Sequence, residues 1–522
     1  MTSARPSADQ ADQAEVVAFL ADPSSYAGVS RVERFETHGN LVFLAGSEAW
    51  KIKRAVRFPY MDFSTLDKRG AACAREVEVN RRLAPDLYLG CVPITRSPDG
   101  RLAFAGDGGV VEWAVHMRRF DQGALLSEIA TKAGISADLA KAVADAVLDS
   151  HRRAAPATAA TGADRIGTLV DSLADAFARL EVFAEADVLQ FRREGARQLH
   201  RCSAILDKRA RSGLVRRCHG DLHLGNIVLW QGRPVLFDAI EFDEAIATVD
   251  TLYDLAFLLM DLDWHRQRPA ANIVLNRYLW RSGDGLALEG LAALPLLIAC
   301  RAGIRAMVHA DRAGLEQPAA ARRDQDKARA YLGAARGYLA PDPPRLIAVG
   351  GLSGTGKTTL AASLAPWLGA APGAVHLRSD LERKSLFGVG ETDPLPAQSY
   401  TRETSERIYA ILREKARPAL AAGHSVIVDA VYAAPPERSA LETLATELGV
   451  PFQGLWLTAP PQAMVARVAA RRGDASDATP DVVRLQLARD IGVLSPAWRR
   501  LDTSGGSEAA LQQARAALAT AG

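Results

Sequence analysis

Cysteine, net charge and long apolar runs are all in short supply in this chain of 522 residues. The five cysteines are Cys73, Cys91, Cys202, Cys218 and Cys300. Their number is odd and none forms a CxxC pair. That speaks against a disulfide framework or a structural zinc site, and for a reducing cytosol. Lysine and arginine number 63 against 61 aspartate and glutamate, a formal net charge of +2. So small an excess gives no bulk attraction to nucleic acid, and the arginines are dispersed. The longest apolar candidate, Leu291 to Cys300, contains Pro295 and stops at Arg301. It is too short to span a bilayer and reads as a buried helix. The N-terminal MTSARPSADQADQ lacks an apolar core and does not read as a signal peptide. The expectation is a cytoplasmic protein with neither membrane nor nucleic-acid partners.

An apolar content of 48% and a charged content of 24% are ordinary for a globular protein, and the length calls for two to three domains. Residues 1–14 read as disordered. Residues 340–345 (APDPPR) hold three prolines in six residues and read as a linker. It separates a domain over 15–339 from one over 346–522. In the first, Asn40 to Arg54 alternates as a β-hairpin does, Ser64 to Leu83 reads as a helix, and Gly109 to Phe120 as a strand. Leu125 to Leu206 and Asp250 to Ala335 read as mostly helical, with short apolar runs and turns over Val215 to Asp238. In the second domain LIAVGG, SVIVDA and FQGLWLTA alternate with amphipathic helices. That βαβ rhythm implies a parallel sheet.

Two motifs carry chemistry. The first in specificity is GLSGTGKT, Gly351 to Thr358, placed between the strand-like LIAVG and the helix-like TTLAASLAPWL. The pattern is that of a phosphate-binding loop. Gly351, Ser353, Gly354, Thr355 and Gly356 let backbone N–H groups wrap phosphates at a helix N-terminus. Lys357 is expected to reach the β- and γ-phosphates, Thr358 to ligate Mg²⁺, and Thr359 to follow in the cofactor site. Asp380 and Asp429 close strand-like runs, VHLRSD and SVIVDA, where ligands of open α/β sheets sit. Such a carboxylate can orient Mg²⁺ or accept a proton from an attacking hydroxyl; it can also cap a helix. Arg467, Arg471 and Arg472 lie in MVARVAARRGD. On a helix Arg467 and Arg471 share a face, serving either a phosphate-contacting lid or a solvated surface.

The other motif is HGDLHLGN, His219 to Asn226, followed after the turn QGRP by PVLFDAIEFDE with Asp238. Asp221 and Asn226 lie five apart. The arrangement fits a phosphotransferase in which one Asp takes a hydroxyl proton while Asn226 and Asp238 hold metal ions on a nucleotide. His219 reads as a brace of this loop, His223 as a group close to phosphate or substrate, and His151 as a packing or hydrogen-bonding histidine.

Each motif brings a resemblance with it. Residues from about Arg345 to Gln486 resemble the small P-loop kinases of the gluconate-kinase, predicted-kinase and zeta-toxin type, on GLSGTGKTT, LRSDLERK (Arg378, Asp380, Arg383), VIVDAVY (Asp429), Arg438 and RVAARRGDASDAT. The resemblance implies Asp380 as the base beside the acceptor hydroxyl, Asp429 in the metal site, and Arg467 and Arg471 in a lid. Residues from about Phe35 to Tyr331 resemble the aminoglycoside phosphotransferase family, which has the protein-kinase-like fold and includes choline kinases. That resemblance implies Asp221 as base, Asn226 and Asp238 as Mg²⁺ ligands, and Asp254 as a buried brace of the catalytic loop. It also implies a nucleotide lysine in AWKIKRAV, either Lys51 or Lys53, paired with Glu76, and a hinge near Met117 to Arg119. The fold class expected is an α+β protein-kinase-like domain followed by an α/β P-loop NTPase domain. The function expected is a bifunctional kinase, using MgATP (or GTP) to phosphorylate a small-molecule hydroxyl acceptor at each site. Two alternatives stand beside it: a nucleotide-binding protein in which the first domain controls the second, and a zeta-toxin-like kinase restrained by its partner domain.

Overall fold

The computed structural model describes residues 8–37, 39–58, 61–157, 162–283, 285–314 and 317–519. The chain divides into two compact units, Met1–Ala160 with Gly213–Asp261, and Thr161–Ser212 with Leu262–Gly522.

The first unit is built on a six-stranded antiparallel sheet. In chain order its elements are helix α1 (Ala8–Ala21), strands β1 (Val32–Glu36), β2 (Asn40–Ala45) and β3 (Glu48–Lys53), helix α2 (Leu66–Arg81), and strands β4 (Tyr88–Arg96), β5 (Leu102–Phe104) and β6 (Gly109–Arg118). The sheet order is β1-β2-β3-β6-β4-β5. Side chains alternate across the sheet, so the two faces bury different helices. Leu41, Phe43, Trp50 and Ile52 pack with Val16 and Leu20 of α1. Leu44, Ala49, Val115 and Met117 pack with Cys73 and Val77 of α2. The same alternation puts Lys51 and Lys53 on the face of Ala49, toward α2. Helix α1 corrects the reading of residues 1–14 as disordered. Residues 8–14 are helical, because Val16 and Leu20 give this segment an apolar stripe to bury; residues 1–7 lie outside the described residues.

After the sheet come α3 (Ala137–Arg153), strand β7 (Val215–Arg217), the hairpin β8 (Ile227–Trp230) and β9 (Arg233–Leu236), and strand β10 (Thr248–Asp250), which pairs with β7. Gln231 and Gly232 form the hairpin turn with φ of 49° and 76°, the left-handed pair that a two-residue turn demands. An antiparallel sheet with α1 on one face and α2 on the other, then a helix and a loop-bearing hairpin, is the protein-kinase-like arrangement.

The second unit holds the helices α4 (Ala163–Ala178), α5 (Glu185–Arg211), α6 (Arg268–Ser282), α7 (Leu294–Ala313) and α8 (Pro318–Leu339), and a five-stranded parallel sheet. Its strands are β11 (Leu346–Gly351), β12 (Val375–Arg378), β13 (Val426–Asp429), β14 (Phe452–Thr458) and β15 (Trp498–Asp502), in the order β12-β13-β11-β14-β15. The βαβ rhythm of the sequence is thus realised as a P-loop NTPase sheet. The helices around it include α9 (Lys357–Leu364), α10 (Ser379–Leu386), α11 (Arg402–Ala421), α12 (Pro435–Leu448), α13 (Pro461–Ala470), α14 (Pro480–Leu487) and α15 (Gly506–Ala519). Ile347, Val349, Ile427, Leu455 and Leu457 of the strands are buried against Leu360 and Leu364 of α9 and Ala510 and Ala514 of α15.

The compact boundary does not fall at the proline-rich 340–345. Helix α6 is tied to the parallel sheet by hydrogen bonds from Asn272 Nδ2 to the Ala374 carbonyl (3.0 Å) and from Arg268 Nε to the Pro366 carbonyl (2.7 Å). His424 Nε2 lies 3.1 Å from the Leu291 carbonyl. The stretch Leu294 to Cys300 is buried in α7, as its apolar run implies. Gly285–Ala313 is long and apolar enough to cross a membrane by length and composition, but 72% of its most apolar window is buried inside the protein.

Candidate active sites

In the first unit the ion pairs form a ladder. Lys51 Nζ lies 2.9 Å from Glu76 Oε1 and 2.5 Å from Asp238 Oδ1. Lys53 Nζ lies 2.6 Å from the other Glu76 oxygen and also pairs with Glu241. The choice between the two lysines left by the sequence is thereby sharpened. Both reach Glu76, but Lys51 lines a cavity of about 250 Å³ while Lys53 is sealed behind it. Burial by itself would discharge Lys51; Asp238 and Glu76 outweigh it and hold its ammonium well above the ordinary lysine value. Burial likewise opposes ionisation of Glu76, and the two lysines reverse that and keep it a carboxylate.

The same cavity is lined by Asn226 and Asp238 and by Phe35, Val42 and Leu44 of the sheet. Met117, Arg118 and Arg119, the segment expected as a hinge, border it too. The resemblance to aminoglycoside phosphotransferases implies a nucleotide-covering loop near Glu36 to Asn40 (ETHGN), of which His38 lies outside the described residues. Asp238 adopts a left-handed φ of 60°, rare for a side-chain-bearing residue but tolerated by Asp. Its N–H donates to Tyr88 Oη at 3.1 Å. Asp221 is joined to this group through Asn226, whose Nδ2 donates to the Asp221 carbonyl (2.9 Å) and to Asp221 Oδ2 (3.0 Å).

The catalytic loop is braced from below. Asp254 Oδ1 accepts from the Gly220 N–H at 2.8 Å, and Oδ2 from the His219 N–H at 3.3 Å, with His151 Nε2 at 3.1 Å. His219 Nε2 lies 2.9 Å from the Phe237 carbonyl, and burial lowers its pKa so that the ring is neutral. His223 Nδ1 accepts from the Gly225 N–H, so its proton sits on Nε2, 3.3 Å from Asp221 Oδ2. His151, Cys218 and Asp254 cluster closely enough to suggest a metal. Both Asp254 oxygens are already committed to the N–H groups just named, so the cluster acts as a hydrogen-bonding brace.

In the second unit the loop Gly351 to Thr358 leaves β11 and enters α9. Gly354, at φ 84°, is where glycine is required: a Cβ there would stand 2.4 Å from the Met464 carbonyl oxygen of α13. Thr358 Oγ1 donates to Asp429 Oδ2 at 2.6 Å. Lys357 Nζ donates to the Leu352 carbonyl at 3.1 Å. Burial lowers its pKa, with Asp429 and Asp380 opposing that shift. Burial, aided by the Asp429 charge, raises the Asp380 carboxyl, although part of its surface still reaches solvent. For Asp429 burial works against ionisation, but the His376 ring, Lys357 and the Thr358 hydroxyl prevail and hold it low. The Ser353 N–H donates to Gln486 Oε1 of α14 at 2.7 Å, and the Thr355 hydroxyl to the Leu352 carbonyl at 2.8 Å. Thr359 is exposed on α9.

The arginines require a correction. Helix α13 ends at Ala470, and Arg471 caps it in an extended conformation, so Arg467 and Arg471 do not share a helical face. Arg467 donates to the Thr503 carbonyl at 2.8 Å and leans toward the Gly354 carbonyl at 3.4 Å, anchoring the wall of the phosphate loop. Arg471 pairs with Asp474 at 3.4 Å, and its charge is felt at Lys357. Arg472 is exposed.

Sequence reasoning passed over several neighbours of both sites. Glu241 holds Lys53, and Tyr88 holds the Asp238 backbone. His376 stands 3.5 Å from Asp429 Oδ2, an electrostatic neighbour at the outer limit of a hydrogen bond. Its own N–H donates to Asn276 Oδ1 of α6 at 2.7 Å. Arg277 of α6 pairs with Glu391 at 2.5 Å, which lies 3.8 Å from Arg378, and Arg378 pairs with Asp474 at 3.1 Å. Lys384, fully buried, pairs with Asp477 at 2.7 Å, which also accepts from Tyr400 Oη. The IEFDE run was the signal for Glu241; the others carry no local signature.

The family model described as "AAA domain" matches residues 346–490. An uncharacterised protein of Mycobacterium tuberculosis is 31% identical over 491 residues, which cover 92% of this chain and 94% of that protein. Among solved structures, a gluconokinase from Sinorhizobium meliloti is 22% identical, covering 34% of this chain and 93% of its own, with a TM-score of 0.26. A choline/ethanolamine kinase family protein from Mesorhizobium loti is 15% identical, covering 63% of this chain and 99% of its own, with a TM-score of 0.36.

Proposed function

We propose, from the premise that this chain belongs to the family of the mycobacterial protein it matches nearly end to end, that this phosphotransferase carries two active sites. Each transfers the γ-phosphoryl group of ATP or GTP to a hydroxyl of a small-molecule acceptor. The observation that carries the reading is the convergence of Lys357, Thr358, Asp380 and Asp429 at the carboxyl ends of β11, β12 and β13. Ligands of open parallel sheets bind there.

In the second site the loop N–H groups and Lys357 would orient the nucleotide phosphates. Thr358 Oγ1 and Asp429 Oδ2, 2.6 Å apart, form a hard-oxygen donor set suited to Mg²⁺. A bound Mg²⁺ would neutralise charge on the phosphates. Asp380 would take the proton of the acceptor hydroxyl; its raised pKa makes it a better base than an ordinary carboxylate. Arg471, close enough to influence Lys357, supplies positive charge where the phosphoryl group would pass.

In the first site Lys51, held by Glu76, would meet the nucleotide phosphates. Asn226 and Asp238 offer the metal oxygens from the wall of the cavity. Asp221, kept in place by Asn226 and His223, would accept the acceptor's proton. All five cysteines are free thiols, which fits a reducing compartment such as the cytoplasm.

A screen of metabolite pools with γ-labelled nucleotide tests the reading on the wild-type protein and on Asp221→Ala and Lys357→Ala. Labelled products lost in only one variant would assign an acceptor to each site. An identical product set from all three proteins would refute it.

A further inference from the structure

A second cavity in the first unit, of about 220 Å³, is lined by four arginines and no acidic residue. Arg75 comes from α2, Arg82 caps its C-terminal end, Arg153 ends α3, and Arg217 comes from β7. Two carboxylates stand behind three of these guanidinium groups. Arg75 bonds to Glu78 at 2.7 Å and to Glu244 at 3.1 Å, Arg217 Nε lies 3.3 Å from Glu244, and Arg82 lies 3.5 Å from Glu78. Arg153 donates only to the Asp149 carbonyl, at 3.1 Å, and has no carboxylate partner among the described residues. Arg217 Nε is buried and lacks an acceptor in hydrogen-bonding geometry among them.

Four like charges around one concavity repel each other, and the repulsion grows as neighbouring protein displaces water. An anion in the cavity would reverse the sign of that interaction and give Arg153 the acidic partner it lacks, with Arg217, whose Nη groups donate to the Cys218 and Ile240 carbonyls, adding charge from the wall. Guanidinium groups match phosphate oxygens two at a time. Val79 and Leu83 add an apolar wall that a bare ion would leave unused. We infer that this cavity binds a small phosphate-bearing anion, at a place separate from both nucleotide sites. It joins α2, whose Glu76 follows Arg75, to the strand leading into the catalytic loop, since Cys218 and His219 also line it.

The test is calorimetric titration of the full-length chain carrying Lys357→Ala, which weakens phosphate binding at the P-loop. Inorganic phosphate and glycerol 3-phosphate are titrated at constant ionic strength. One site per chain is expected, with the ester bound more tightly. Equal affinity for the two would assign the site to the phosphate group alone. Adding Arg82→Gln and Arg153→Gln should weaken binding about tenfold or more, given the strength of charge-assisted hydrogen bonds. Both side chains are exposed, and losing them relieves the mutual repulsion, so the thermal midpoint in the absence of anion should not fall. No binding to the Lys357→Ala chain, or unchanged affinity after both arginine substitutions, would overturn the inference.

Discussion

Lys51 and Lys53 sit two residues apart on β3 and grip opposite oxygens of one carboxylate, yet their substitutions should have different consequences. Lys51 faces the cavity. Lys51→Met should cut phosphotransfer at the first site by about a hundredfold while the protein stays folded, the loss of one charged contact to phosphate. Lys53 is sealed with Glu76 and Glu241. Lys53→Met removes the cation that pairs with Glu241 and leaves Glu76 to Lys51 alone, and should cost about 3–5 kcal/mol of stability in denaturant titration. Equal stability losses in both variants would contradict this division. His424 gives a second residue-scale test. Burial lowers its pKa to about 4, with the Leu291 carbonyl only partly offsetting the effect. The unfolded chain therefore takes up a proton near pH 6.5 while the folded chain does so only near 4. The stabilisation is fully present above pH 6.5 and is lost as the pH falls toward 4, about 3 kcal/mol over that span. His424→Gln should flatten the acid limb of the stability profile; an unchanged limb would refute the assignment.

At the scale of elements, helix α6 reaches the P-loop site through Asn276. Its Oδ1 accepts the His376 N–H, its Nδ2 donates to the Ala374 carbonyl at 3.2 Å, and His376 in turn stands beside Asp429. Asn276→Ala should lower stability by about 1–2 kcal/mol, leave first-site turnover intact and reduce second-site turnover severalfold. Loss confined to the first site would contradict this. The hairpin β2–β3, helix α2, strand β6 and the strands of the parallel sheet lie where periodicity and turn residues put them. The phosphate loop was legible because its chemistry is contiguous, and Gly354 shows the steric reason for one of its glycines. Asn276 and His376 are 100 residues apart, so nothing local announces their bond. Glu241 stands in the legible IEFDE run, but its pairing with Lys53 was hidden, because the two meet only when the left-handed Asp238 turns the chain back toward β3. Arg471 leaves the helix that its spacing from Arg467 suggested, since α13 stops one residue earlier.

At the scale of the molecule, each compact unit has its own core and its own constellation of charged groups. The second unit takes in residues on both sides of the proline-rich 340–345. Its parallel sheet leans on α6 and on the Leu291 carbonyl, so residues 346–522 expressed alone should melt several degrees below the same segment in the full chain. An equal midpoint would restore the linker as the boundary of stability. The claim of two independent sites is tested most directly by nucleotide turnover in four proteins, measured with the acceptors that the metabolite screen identifies: wild type, Asp221→Ala, Lys357→Ala and the double variant. Loss of a general base or of a phosphate-holding lysine costs about 10²–10⁴-fold at its own site. Each single variant should therefore lose one separable part of the turnover and the double variant nearly all of it. Turnover in the double variant equal to that of the wild type would contradict the account.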